Sequence, residues 1–239
     1  MTLSAVTGQV LSHIKSRTTI VGAQIKAIDG QEYAPSGNTY TPFYSLDFNG
    51  ANGSVNNSNV NQDQQYVAGQ YYRNANYLYL WSVPPCDWIT TDSALDNNHY
   101  IESDIYIAGY ESSVNAQGLI ARTNKCNGSG GQTFSGYMLG AKCISGTPDK
   151  TEISIWLINN SVRGTRLAGP YDLSKTLSQT IRLRMRVVGT VISGDLWSGT
   201  QWDEIITVTD STFTGNYGGV SVINTAHVSF DNVVWGNIT

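Results

Sequence analysis

The sequence predicts an all-β fold, a two-sheet antiparallel jelly-roll β-sandwich with an N-terminal arm, and three observations carry that prediction. The first is the stretch 181–197, IRLRMRVVGTVISGDLW, in which Ile181, Leu183, Met185 and Val187 alternate with Arg182, Arg184, Arg186 and Val188. A period of two marks a strand with one face in a core and one facing out. Gly189-Thr190 interrupts the pattern, and Val191, Ile192, Leu196 and Trp197 resume it, so the unit reads as a hairpin with a tight turn. The second observation is that strand-like runs recur every 8 to 15 residues from Phe43 onward, separated by Gly, Asn and Ser clusters. The third is composition: 13 % charged residues, 24 glycines and 14 tyrosines suit strands and turns better than helices.

A chain of 239 residues with 40 % hydrophobic content can bury a full core, and sandwiches of this length form one domain. Fourteen basic against eighteen acidic residues, a net charge of −4, offer no basic field for nucleic acid. No stretch approaches the roughly 20 apolar residues that cross a bilayer, so membrane insertion is not expected. The start, MTLSAVTGQVLSHIKSRTTIVG, lacks the basic and apolar regions of a secretory signal, and synthesis in the cytoplasm is expected. Cys86, Cys126 and Cys143 cannot all pair within one chain, and buried thiols are the expectation.

In chain order, residues 1–42 form the arm. Leu3, Val6, Val10, Leu11 and Ile14 give a helical stripe, Ile20 to Ile28 a strand, and YAPSGNTYTP an irregular linker. Two readings stay open, an arm that docks on other subunits and a first strand folded onto its own domain. The sandwich is expected over 43–239. FYSLDF opens it; a polar loop follows, in which Asp47, Asn49 and Asp63 lack the spacing of a calcium loop, so no metal is assigned. YVAGQYYRN and NYLYLWSV come next, then HYIESDIYI, with Ile101, Ser103, Ile105 and Ile107 on one face and Tyr100, Glu102, Asp104 and Tyr106 on the other. GLIARTNKC and GYMLGAKC form a hairpin around NGSGGQTFSG. In EISIWLINN, Ile153, Ile155 and Leu157 point inward and Ser154, Trp156 and Ile158 outward, and SVRGTRLAGPYDL reads as a connecting loop. The arginine hairpin, QWDEIITVTDSTFT, GGVSVIN and HVSFDNVVW complete the set.

The order YIESDI, GLIAR, GYMLG, RLRMRVVGTVI, TDSTFT, GGV and a closing FDNVVW resembles the concanavalin A-like lectin/glucanase superfamily in its laminin-G-like branch, over residues 43–235. The resemblance implies the jelly roll and admits lectins, glycan-binding modules, glycosidases, lyases and bacteriophage structural proteins, because fold alone does not select a function.

The residues themselves weigh against catalysis. Glucanases of this superfamily use an E-x-D-x-E or E-x-D-x-x-E strand, and Glu102-Ser103-Asp104 matches only its first half, with Tyr106 and Ile107 where the third acid belongs. No sequence feature pairs His13, His99 or His227 with a tyrosine for lyase chemistry, so no catalytic residue and no cofactor is assigned. Binding has better material: Trp81, Trp88, Tyr106 and Trp156 offer rings for sugars, and Arg182, Arg184 and Arg186 offer donors. The same arginines would equally be neutralised by Glu102 and Asp104 on a neighbouring strand, and Asp231 reads as a turn-capping acid. The expectation is a non-enzymatic structural protein of a bacteriophage virion, a capsid decoration, collar or tail-associated component. Its expected partners are copies of itself, other virion proteins and host cell-surface polysaccharide. The alternatives are a stand-alone carbohydrate-binding module or adhesin, and a glycoside hydrolase or polysaccharide lyase.

Overall fold

The computed structural model describes residues 27–28, 31–32, 38–46, 53–54, 60–62, 71–74, 77–80, 86–91, 93–107, 116–125, 133–144, 150–174, 179–223 and 228–239. The chain divides into two compact units, Met1–Asn38 and Thr39–Thr239. The described part of the first is a two-residue antiparallel ladder, β1 (Ala27–Ile28) with β2 (Gln31–Glu32). The arm residues Leu3, Val6, Val10, Leu11 and Ile14 lie outside the described residues.

The second unit is built from strands alone among the described residues. They are β3 (Tyr40–Leu46), β4 (Gly53–Ser54), β5 (Val60–Gln62), β6 (Tyr71–Asn74), β7 (Tyr77–Leu80), β8 (Cys86–Thr91), β9 (His99–Ile107) and β10 (Ala116–Thr123). There follow β11 (Gly136–Ile144), β12 (Lys150–Asn159), β13 (Val162–Leu173), β14 (Gln179–Val188), β15 (Val191–Trp197), β16 (Trp202–Thr209), β17 (Tyr217–Ile223) and β18 (Val228–Ile238). One antiparallel sheet runs β13-β12-β11-β10-β17-β8-β5; the other runs β16-β15-β14-β9-β18-β7-β6-β4, with β3 added beside β18. The chain crosses between the sheets repeatedly, as a jelly roll requires, and the two-sheet sandwich is the observed fold.

The alternating residues of both sheets meet in one core. Ile101, Ile105, Ile181, Leu183, Met185 and Val187 of one sheet face Leu119, Leu139, Ile153, Ile155, Val220 and Val222 of the other, all essentially inaccessible to water. Full burial of such a side chain stabilises by about 1.5–3 kcal/mol. Two contacts fix the spacing of the layers. Trp235 of β18 donates its indole N–H to the carbonyl of Gly218 in β17, 2.9 Å away. Gly194 of β15 leaves room for Leu139 of the opposite sheet, whose Cδ1 would lie 2.6 Å from any Cβ added there.

The structure departs from the sequence reading in three places. SVRGTRLAGPYDL, read as a loop, is mostly β13, an edge strand paired along β12 with three register shifts. Pro170 and two glycines argue against a central strand, but an edge tolerates proline because one row of its amides needs no partner. Asn160 and Ser161, both at positive φ (48° and 60°), make the two-residue turn that starts it. Inside the polar loop, Gly53–Ser54 and Val60–Gln62 pair with β6 and β8. Ile158 lies on the outer face of its sheet, as read, and is buried there in a second cluster with Ile120, Phe134, Met138 and Ile223. Tyr40 to Pro42, read as the end of the arm, run in β3 opposite Gly236 to Ile238. Cys143 is a buried thiol on β11.

Candidate functional site

The arginine strand β14 sits between two acidic rows, and strand register puts it there. A two-residue connection, Gly189-Thr190, with Gly189 in the left-handed region at φ 58°, pairs Arg184 with Asp195 and Arg186 with Ser193. On the other side β9 sets Arg182 opposite Asp104, Arg184 opposite Glu102 and Arg186 opposite Tyr100. A bulge at Gly194/Asp195 then shifts β16 so that Glu204 opposes Asp195 and Trp202 opposes Trp197.

The result is a lattice of ion pairs. Arg184 donates through Nε to Asp195 Oδ2 at 2.7 Å, and Arg186 reaches both Asp195 oxygens at 2.7 Å while its Nη2 contacts Glu204 at 2.6 Å. Arg182 lies 3.4 Å from Glu102 Oε2 and 3.8 Å from Asp104 Oδ1. Arg184 completes the row at 3.7 Å from Glu102 Oε1. Three cations therefore face four carboxylates, Glu102, Asp104, Asp195 and Glu204, and the like-charge repulsion of a bare arginine row does not arise. This face is also less open than the alternation implies: the Asp195 side chain is 1 % exposed and those of Arg184 and Arg186 11 % and 12 %, whereas Arg182 keeps 37 %. Burial pushes the Glu102 carboxyl above its ordinary value against the pull of Arg184 and Arg182. For Arg186 burial opposes the charge, but the hydrogen bonds and charge of Asp195 prevail and raise its pKa.

Rings close the lattice at its edges. The Arg184 guanidinium stacks 4.5 Å from the Trp202 centroid and 4.6 Å from that of Tyr40; Arg182 lies 5.6 Å from Trp202. Trp197 meets Trp202 edge to face at 5.3 Å, and Tyr40 meets Tyr100 likewise at 5.4 Å. Tyr100 lies over Gly236, where an added Cβ would come within 2.3 Å of its ring. Burial, and after it the charge of Glu102, pushes the Tyr100 phenol up to about 12. The Tyr40 hydroxyl and the Arg182 Nε are buried atoms with no hydrogen-bond partner, and Asn232 donates to Asp104 at 2.8 Å.

Of the seven residues nominated from the sequence, the three arginines and Tyr106 share this face by strand alternation. Trp156 is on the outer face of the opposite sheet, with the guanidinium carbons of Arg163 and Arg166 at 4.5 Å and 5.4 Å from its ring. Trp88 pairs with Ser221 in β17, its side chain outside the described residues, as is Trp81 altogether. His99 points into the core; His13, His227, Asp47, Asn49 and Asp63 lie outside the described residues. Asp231 accepts the amide of Asn232 at 2.8 Å. Sequence reasoning missed Asp195, Glu204, Trp202 and Tyr40. A signal for Asp195 was present: a two-residue turn at 189–190 forces residues 184 and 195 opposite each other.

No protein-family model and no curated protein sequence matches the chain. Among solved structures it is similar to the carbohydrate-binding module CBM66 from Bacillus subtilis (TM-score 0.48, 14 % identity, 81 % of this chain and 95 % of that one). It is similar to the VIP36 exoplasmic/lumenal domain in a Ca2+/Man3GlcNAc-bound form (TM-score 0.48, 14 % identity, 75 % and 83 %). It is likewise similar to the CBM2 module of the evolved Dit of Lactobacillus casei BL23 phage J-1 (TM-score 0.48, 11 % identity, 84 % and 97 %). By its own two sheets and their strand order, the chain is a two-sheet antiparallel jelly-roll β-sandwich.

Proposed function

We propose that this chain is a non-enzymatic glycan-binding protein, carried on a bacteriophage virion as a capsid decoration, collar or tail-associated component. The observation that supports binding is the arginine-carboxylate lattice on β9, β14 and β15, which holds donors and acceptors in fixed positions next to Trp202. Sugar recognition needs planar polar groups whose ordering entropy is already lost, beside a ring that takes the C–H face. Arg182 is the member that remains open, with 37 % of its side chain exposed. The support for a non-catalytic role is that Glu102 and Asp104 are both engaged by Arg182, and acid/base hydrolysis needs a carboxyl free to exchange its proton with substrate. The raised pKa of Glu102 favours a second reading, hydrolysis with Glu102 as the acid.

A glycan array probed with the full chain, with Arg182→Ala and Trp202→Ala as controls, tests binding. Signals that vanish in both variants support the sheet face, and signals that persist in both refute it. Release of reducing ends that is lost in Glu102→Gln would establish the second reading. The virion placement rests on the apolar side chains of the arm, and labelling of intact phage particles with an antibody against the chain tests it.

A further inference from the structure

The outer face of the other sheet carries an excess of the opposite charge. On β12 the residues that alternate with Ile153 and Ile155 are Glu152, Ser154 and Trp156; register sets Lys142 of β11 and Asp172 of β13 beside Glu152, and Arg166 beside Trp156. Among the described residues of β11–β13, four cations, Lys142, Lys150, Arg163 and Arg166, thus share this face with two carboxylates, Glu152 and Asp172. The surplus is two positive charges, on a chain whose net charge is −4.

The lysines take both acids. Lys150 lies 3.1 Å from Glu152 and 3.0 Å from Asp172, and Lys142 lies 3.6 Å from Glu152. The arginines converge on the Trp156 ring instead, and Arg166 is exposed and makes no ion pair among the described residues. A guanidinium that stacks on a ring uses its flat face and turns its edge N–H groups away from the ring, in the fork geometry that suits a carboxylate. Two forks held on one indole have given up side-chain entropy before any ligand arrives.

The ground beside the ring is shallow. At Gly140 an added Cβ would lie 3.5 Å from Trp156 Cδ1, and its absence leaves a depression bounded by Lys142, Ser154 and Arg163. The depression holds about 10 Å³, room for no more than one water. A small molecule has nothing to enter here. A polymer with an anionic group on each unit can instead lie across strands spaced about 4.8 Å apart and meet several cations at once.

We propose that this face binds an acidic polysaccharide, a polymer of uronic acids whose carboxylates accept from the Arg163 and Arg166 guanidiniums. The choice of a saccharide among polyanions rests on the glycan-binding reading above. The site itself does not, because it lies on the opposite sheet from Arg182 and Trp202.

Titration calorimetry of the full chain with polygalacturonate at low salt tests the site, beside the uncharged methyl ester, polyglutamate and a DNA duplex. Saturable binding to polygalacturonate is expected, absent with the ester, about tenfold or more weaker with polyglutamate and DNA, and lost near 1 M salt, where the Debye length is about 3 Å. Replacing both arginines, Arg163→Ala with Arg166→Ala, should weaken it about tenfold or more, and Arg182→Ala should leave it unchanged. Arg166→Glu, at an exposed position, should have the same effect and keeps the test decisive if the double variant unfolds. No binding to polygalacturonate, equal binding to polyglutamate or DNA, or undiminished binding in Arg166→Glu would each overturn the proposal. So would a loss confined to Arg182→Ala. Neutral-glycan signals that depend on Arg182 and Trp202, without polygalacturonate binding, would refute this site alone and leave the reading of the arginine-carboxylate face intact.

Discussion

His99 makes the stability of the sandwich depend on pH. It is fully buried at the start of β9; Nδ1 lies 2.8 Å from the Asp96 carbonyl, so Nδ1 carries the hydrogen, and Nε2 is buried without a partner. Protonation would place a second N–H in the core with no acceptor and near the Arg122 cation. Burial first, and then Arg122, lower its pKa from 6.5 to about 4, against the opposing pull of the Asp96 carbonyl and carboxylate. Because the folded state holds its proton less tightly than the unfolded chain, the stabilisation is complete above pH 6.5 and is lost as pH falls toward 4. The linkage relation gives a loss of about 2 kcal/mol at pH 5 and about 3 kcal/mol at pH 4, a sizeable fraction of a domain's stability. Glu102, with its raised pKa, works in the opposite sense as pH falls, so the measure is the difference between the parent and a variant. His99→Asn keeps a donor near the Asp96 carbonyl and cannot be protonated. Urea unfolding followed by tryptophan fluorescence at pH 7, 6 and 5 should show a steeper loss for the parent by about 2 kcal/mol over that interval. Equal slopes for the two proteins would refute the argument.

Three further outcomes are expected. Asp195→Ala strips two mostly buried guanidiniums of their common partner and should destabilise by about 3–5 kcal/mol in urea melts, whereas a change under about 1 kcal/mol would show the lattice to be solvated. Met185→Asp puts an unpaired carboxylate at a fully buried position of β14 and should abolish soluble expression at a cost of several kcal/mol; a soluble, cooperative variant would mean the strand faces the other way. A chain beginning at Thr39 should retain a cooperative melt, because it keeps β3, and lose any oligomeric state seen by light scattering if residues 1–38 serve assembly; unchanged oligomers would remove that role.

The sandwich was legible because alternation survives wherever one sheet face is dry. Ile181 to Val187 and Ile101 to Ile107 carry that pattern in the sequence and form the core in the structure. It failed where the physics is not periodic. In β13 glycine, proline and three bulges erase the alternation, though an edge strand needs only one row of amides. At Ile158 the outward reading holds, and a second apolar cluster covers the outer face there. The arginine row was recognised and its neutralisation by Glu102 and Asp104 weighed, but Asp195 entered only through cross-strand register, and Glu204 and Trp202 only through a bulge that sequence does not announce. Arg122 gave no sign at all, since nothing in GLIAR marks a left-handed residue.

The pairing of β3 with β18 has a kinetic consequence. Thr39 and Thr239 exchange two backbone hydrogen bonds, at 2.6 and 3.0 Å, and Tyr40 faces Ile238 in register. Partners about 200 residues apart must find each other to close this edge, a search that costs loop entropy before any contact repays it, so the strand pair should form late and fold slowly. A ribosome-bound chain cannot complete its sheet until β18 has emerged, which leaves the β3, β7 and β9 edges that it pairs with unsatisfied in the meantime. Joining residue 239 to residue 39 and opening the chain at the Asn160-Ser161 turn would turn that long-range closure into a local hairpin, and the permuted protein should refold faster than the parent while keeping the same sheets.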